Sequence, residues 1–182
     1  VQVVVMAVRD DDAVIDRCRT LAAELTDAGV RVELDVRVET SMGRRATDWE
    51  LKGVPVRLEL GPRDLAENVV TLARRVSGGK EPVSLDGIAS TVATALDDAQ
   101  AALLAEATER RDSRTVEVST IAEAAAAAAT GWARIPWSAL GAEGEAELAK
   151  ESVTVRCLVM PDGSLPDGDD AEGAIAVVAR SY

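Results

Sequence analysis

At 182 residues the chain has room for one well-filled core, or for one core and an appendage. Its 47% apolar content comes mainly from Ala, Val and Leu, with no Phe, so the core must be aliphatic; no apolar run approaches the roughly 20 residues a membrane span needs. The formal charge of −12 argues against general affinity for polyanions, and zero His excludes Ser-His-Asp, Cys-His and His-ligated metal chemistry.

The first predicted element is a buried strand over residues 1–8, an almost unbroken β-branched run. Asp10, Asp11 and Asp12 supply a helix start, and Val14, Cys18, Leu21 and Leu25 recur at helical spacing until Gly29 closes the element. Cys18 lies on that apolar stripe and is expected in the core. A second strand follows over 30–38, alternating Val and Leu with charged residues, so that strand, helix and strand form a parallel crossover. Residues 39–52 are polar, with one short helix expected over 46–51. A third strand over 54–60 places Val56, Leu58 and Leu60 on one face and Arg57 and Glu59 on the other. After a break at Gly61-Pro62, a fourth strand over 68–74 leads through a Ser77-Gly78-Gly79 turn to a fifth over 81–85. Ser84 is placed to cap a long helix striped by Ile88, Val92, Leu96, Ala99 and Leu103.

A second region begins near Ser113, which divides the chain into expected domains 1–112 and 113–182. Thr120 and Glu123 match a capping box ahead of an alanine-rich helix reaching Ala129. A strand over 131–137, a helix over 143–152, strands over 153–160 and 174–182, and an acidic loop over 161–173 complete a small α+β unit. Trp132 and Trp137 are expected as core or inter-domain cover. The acidic cluster over 167–172 reads as a mobile loop rather than a cation site.

Cys18 and Cys157 make no disulfide framework, so a reducing cytoplasm is the expected setting. Neither GxGxxG nor GxxxxGK[ST] is present to cradle nucleotide phosphates. No cationic leader precedes an apolar segment, so no secretion signal is expected. Val1 opens inside a strand pattern without an initiator Met, as in a fragment truncated at its N-terminus.

Charge is unevenly placed. Residues 31–80 hold 10 basic and 8 acidic residues, a local +2, while the remaining 132 carry −14. Within this donor-rich island lies Trp49-Glu50-Leu51-Lys52-Gly53-Val54-Pro55-Val56-Arg57-Leu58-Glu59-Leu60-Gly61-Pro62-Arg63-Asp64. Duplex phosphate would take its cations but be repelled by Glu50 and Asp64. A guanine satisfies both kinds of group: its N1–H and N2–H donate to a carboxylate, and its O6 and N7 accept from an arginine fork. Glu50, Arg57, Arg63, Asp64 and Lys80 therefore suit the splayed bases of an RNA loop, with Arg44 and Arg45 free for backbone phosphates. On the residues alone, a surface pair between Glu50 and Lys52 or Arg57 is the simpler account. Trp49 reads as a packing anchor for this segment rather than a base-stacking platform.

The same run resembles the anticodon-binding domain of prolyl-tRNA synthetase, of the archaeal/eukaryote-like type found also in some bacteria. The resemblance is carried by Leu34-Asp35-Val36-Arg37, by Trp49 to Arg57, by Gly61-Pro62-Arg63-Asp64-Leu65 and by the closing Ala179-Arg180-Ser181-Tyr182. It implies the class IIa synthetase anticodon-binding fold, a five-stranded mixed sheet flanked by helices, followed by a small α+β C-terminal domain. It also implies that Glu50, Arg57, Arg63, Asp64 and Lys80 read the two adjacent guanines of the proline anticodon. Arg63 stands where some relatives have Lys. Gly43-Arg44-Arg45-Ala46 replaces a family Gly-Trp-Lys-Phe, which removes an aromatic. The family's C-terminal domain often carries a four-cysteine zinc site; Cys157 alone cannot complete one, so no metal is expected and Cys157 is read as a strand residue. Tyr182 matches the terminal residue that approaches the parent active site.

By the same resemblance the partners are proline tRNA, through its anticodon loop, and the catalytic domain of the same polypeptide in a homodimeric parent. Neither DNA nor a membrane is expected as a partner. ATP and magnesium belong to the parent's catalytic domain, so the fragment needs no cofactor, contains no catalytic residue and is inactive alone. Two further readings stand beside this one: an interaction module built on the same fold, and an independent flavodoxin-like enzyme. Retention of Glu50, Arg57, Arg63 and Asp64 weighs against the first, and the missing phosphate loop and base against the second.

Overall fold

The computed structural model describes residues 1–168 and 172–181. Its central strand is β1 (Val3–Ala7), every residue of which is buried. Helix α1 (Asp12–Asp27) starts where Asp11 Oδ1 accepts from the Val14 amide at 3.0 Å, and it buries Val14, Cys18, Leu21 and Leu25 as the spacing predicts. Gly29, at φ 85°, turns the chain into β2 (Val32–Asp35), which pairs parallel with β1.

Strand β2 (Val32–Asp35) is far shorter than the predicted 30–38. The chain leaves the sheet because the Asp35 side chain turns inward and draws the next residues around it: the Arg37 amide donates to Asp35 Oδ1 at 3.1 Å. Helix α2 (Met42–Leu51) then begins four residues ahead of the expected 46. Its first turn is polar in sequence, but its Arg45 is fully buried.

Strand β3 (Val56–Leu60) pairs parallel with β1, followed by helix α3 (Pro62–Ala66) and by β4 (Val69–Arg74) and β5 (Lys80–Ser84). The β3–β4 and β4–β5 pairs are antiparallel, giving a mixed five-stranded sheet in the order β2-β1-β3-β4-β5. This is the α/β architecture expected. Helix α3 is absent from the predicted elements, where Gly61-Pro62 reads as a break. In the fold Pro62 opens the helix, and Asp64 Oδ2 accepts from the Gly61 amide at 2.8 Å.

One face of the sheet is the main core, in which Val3, Val5, Val56, Leu58, Val70 and Leu72 meet α1 and Ile88, Val92 and Ala95 of α4 (Ile88–Asp112). A fully buried Val or Leu contributes about 1.5–3 kcal/mol, so this layer dominates the stability of the sheet. On the opposite face α2 covers β1, where Trp49 and Val54 pack on Val4 and Met6. Ser84 does not cap α4. It ends β5, and its hydroxyl accepts from the Asp86 amide at 3.0 Å, a turn ahead of the helix. The predicted α4 stripe is also truncated, for Leu96 is only half-buried and Leu103 is exposed.

The chain divides into a unit Val1–Ala105 and a second unit from Glu106 onward. The second contains β6 (Thr115–Glu117), α5 (Ile121–Ala128), β7 (Trp132–Pro136), α6 (Trp137–Ala149), β8 (Val153–Val159) and β9 (Ile175–Arg180), with sheet order β6-β7-β9-β8. The capping box forms: Thr120 Oγ1 accepts from the Glu123 amide at 3.3 Å and Glu123 Oε2 from the Thr120 amide at 3.1 Å. The predicted strand 131–137 stops at Pro136, and Trp137 opens a helix six residues before the one predicted from 143; it bends at Gly141 (φ 57°, ψ −177°). Of the two tryptophans expected as core or inter-domain cover, Trp137 packs against the core of this unit and Trp132 is 38% exposed. The acidic residues Asp169 and Asp170 and the terminal Tyr182 lie outside the described residues.

Candidate nucleic-acid interface

Period-two alternation in β3 sends Val56, Leu58 and Leu60 into the main core and turns Arg57 and Glu59 to the other face. Register then decides their neighbours. Arg57 stands opposite Ala73, and Ala73 opposite Lys80, while Glu59 stands opposite Thr71. The small Ala73 between the two cationic positions leaves room for long side chains to meet above it. Helix α2 borders this part of the sheet and brings Glu50 to it.

Four side chains join into one ionic chain. Arg57 Nη1 donates to Glu50 Oε1 at 2.6 Å, and Arg57 Nε to Glu59 Oε1 at 3.3 Å. Lys80 Nζ donates to Glu59 Oε1 at 2.9 Å and to Oε2 at 2.8 Å. The inner pair is nearly covered, with Arg57 and Glu59 side chains 6% and 10% exposed, whereas Glu50 and Lys80 are each 51% exposed. The charges sum to zero. Glu50 is fixed from behind as well, because Arg75 Nε donates to its carbonyl at 3.2 Å. The structure thus brings together Glu50, Arg57 and Lys80 through Glu59, a residue outside the predicted set. The signal for it was present, since Arg57 and Glu59 are two apart in a strand and share a face.

Behind the chain, Asp35 anchors α2 to the sheet. Its Oδ2 accepts from Trp49 Nε1 at 2.7 Å and from Arg37 Nη2 at 2.7 Å, and its Oδ1 accepts from Arg45 Nη1 at 3.3 Å. Burial pushes this carboxyl up, but hydrogen bonds from Arg37, Trp49 and Arg45 outweigh it and hold Asp35 well below the usual carboxylate range. Arg45 is not free for phosphates. Its Nη2 donates to the Ala7 carbonyl at 2.8 Å and its Nε to the Thr40 carbonyl at 3.1 Å, and the side chain is sealed between α2 and the sheet. Arg44, one residue earlier, is exposed. Trp49 is 7% exposed and lies beneath Lys52, whose Nζ sits 4.0 Å from the ring centroid; that places it in packing rather than on an open stacking surface.

Arg63 and Asp64 stand apart from the ionic chain, with no hydrogen bond or ion pair to it among the described residues. Arg63 is exposed on α3, and the half-buried Asp64 caps that helix through the Gly61 amide. Cys157 is exposed on β8, beside a register shift between Val155 and Cys157.

Residues 2–95, which contain the whole ionic chain, match the family model described as "Anticodon binding domain". The chain belongs to the anticodon binding domain family. Similarity to curated relatives extends beyond that match to the full chain. Proline–tRNA ligase 2 of Streptomyces avermitilis is 58% identical over 182 residues, covering 100% of this chain and 39% of the relative. The proline–tRNA ligase of Frankia casuarinae is 54% identical over the same span and share. The chloroplastic/mitochondrial proline–tRNA ligase of Arabidopsis thaliana is 34% identical over 201 residues, 100% of this chain and 36% of the relative. This anticodon binding domain, with its second unit, thus spans about two-fifths of the length of the curated relatives it matches.

Proposed function

We propose that this chain reads the anticodon of proline tRNA as part of a proline–tRNA ligase. The observation that carries the reading is the neutral chain Glu50–Arg57–Glu59–Lys80, with two half-exposed ends and a covered middle. A patch built for phosphate would hold a net positive charge, and this one holds none. A guanine entering between Glu50 and Arg57 would donate N1–H and N2–H to the carboxylate and accept at O6 and N7 from the guanidinium. The cost is the Glu50–Arg57 pair, which exceeds the roughly 0–1 kcal/mol of a fully exposed pair because Arg57 is nearly covered. Arg57 keeps Glu59 as counter-ion, however, and gains the base in place of Glu50. The return is two charge-assisted contacts, each giving about 1–3 kcal/mol of base discrimination.

Arg63 and Asp64 extend the reading to a second guanine from α3, and Arg44 supplies a backbone phosphate contact at the rim. In the parent enzyme the catalytic domain of the same polypeptide would join proline to tRNA, with ATP and magnesium held there rather than in this chain. A homodimeric parent in the cytoplasm, a boundary near 112–113 between the reading domain and a small C-terminal domain, and a terminal Tyr182 near the active site belong to the same reading. So does the archaeal/eukaryote-like type, which rests on the Trp49 to Asp64 string.

Arg57→Ala tests the assignment. Binding to a hairpin carrying the proline anticodon loop should weaken by about 1–3 kcal/mol if this side chain makes a bidentate base contact. Unchanged affinity would return Arg57 to a structural ion pair with Glu50 and Glu59 and leave an accessory interaction module as the better reading.

A further inference from the structure

We infer that Glu59 is a positioning residue for guanine discrimination: it fixes which edge of Arg57 faces the ligand and how far Lys80 stands from it. The inference rests on the base-reading role proposed above. Glu59 lies within β3 with both carboxylate oxygens engaged, Oε1 by Arg57 Nε and Lys80 Nζ and Oε2 by Lys80 Nζ. A guanidinium can offer a carboxylate or a base either its Nε edge or its outer edge. By taking Nε, Glu59 commits that edge to the protein and turns Nη1 toward Glu50. The same carboxylate gathers a cation from β5, so side chains from two strands are held at one spacing by a group anchored in the sheet. Glu50 cannot do this. It is half exposed on a helix, and a ligand that takes its carboxylate would leave Arg57 with Glu59 as its remaining partner.

Burying Glu59 costs solvation that only its cationic partners offset. A purely structural Glu59 and a positioning Glu59 both predict lower stability on substitution. They differ in what happens to base selectivity. In the positioning account, Glu59→Gln weakens the hold on Arg57 and Lys80, and the guanidinium can then present either edge, so affinity for guanine falls while affinity for other bases stays.

The experiment compares this chain with Glu59→Gln and Glu59→Asp for binding to synthetic hairpins carrying the proline anticodon loop, with guanine or adenine at each of the two shared positions. Thermal unfolding is followed on the same samples. The wild-type chain should prefer guanine; absence of any preference would overturn the base-reading proposal itself. Glu59→Gln should lose about tenfold of the guanine-to-adenine ratio, the lower end of one base contact. Glu59→Asp, which keeps the charge but draws it back by one methylene, should fold and lose a smaller share. Full wild-type discrimination in every folded variant, with only the melting temperature lowered, overturns the positioning role.

Discussion

Asp35 shows how one buried carboxylate can organise a surface it never reaches. It receives Arg37, Arg45 and Trp49 together, and through the last two it holds α2, and hence Glu50, against the sheet. Replacing Asp35 with Asn would leave Arg45 charged, buried and short of its counter-ion, a change that costs about 3–5 kcal/mol. Urea unfolding should show the extrapolated free energy falling by that measure, through a lower midpoint with little change in slope. The pH dependence follows from the direction of the shift. Because the folded carboxyl titrates below its unfolded value, the unfolded chain binds the proton first, and stability is lost as pH falls below about 3.9. Asp35→Asn should therefore flatten the acid limb of a stability–pH profile; an unchanged limb would remove Asp35 from the account. The two thiols differ as sharply. Burial pushes Cys18 up to about 11, with Arg17 opposing, while Cys157 is exposed. Alkylation of the folded chain at about pH 8 should modify Cys157 and spare Cys18, and denaturation should make both reactive.

Among the elements, β1, α1, β3 and β4 are legible in the sequence from apolar spacing, whereas β5, exposed along most of its length, is legible only from the Ser77-Gly78-Gly79 turn before it. Hydropathy cannot see a buried arginine, so the sequence pattern predicts α2 from 46 although Arg45 is the helix's best-buried residue. Asp35 shortened β2 for a similar reason, since its partners lie 2 to 14 residues away and the alternation pattern runs on past it. Helix α3 was missed although its signature is present: Gly61, then Pro62 at the first helical position, then Asp64 returning to the Gly61 amide. The proximity of the candidate residues was legible only in part. Period-two alternation puts Arg57 and Glu59 on one face from sequence, but only strand register and the position of α2 bring Lys80 and Glu50 to them. Close approach was invisible in sequence as well. A Cβ at Gly131 would stand 2.2 Å from the Arg114 carbonyl oxygen, where the two backbones pass. Gly131→Ala must push β6 from β7 and should cost about 1–3 kcal/mol, measurable by thermal unfolding; a neutral effect would show that the edge strand yields freely.

For the molecule as a whole, the distribution of charge matters more than its sum. A chain at −12 repels nucleic acid at long range, and in the proposed reading residues 31–80, at +2, carry the stretch that offsets this repulsion. Within that stretch the ionic chain cancels itself, so in the proposed reading binding strength comes from base edges and a few outer arginines rather than from phosphate neutralisation. The central claim is that the sheet face beside α2 recognises guanine. Its most direct test is the affinity of this chain for proline anticodon hairpins in which each anticodon base is replaced in turn, at fixed salt. Replacing either shared guanine should weaken binding by about 1–3 kcal/mol, and replacing the first anticodon base should do less. Equal affinity for every hairpin would contradict the claim.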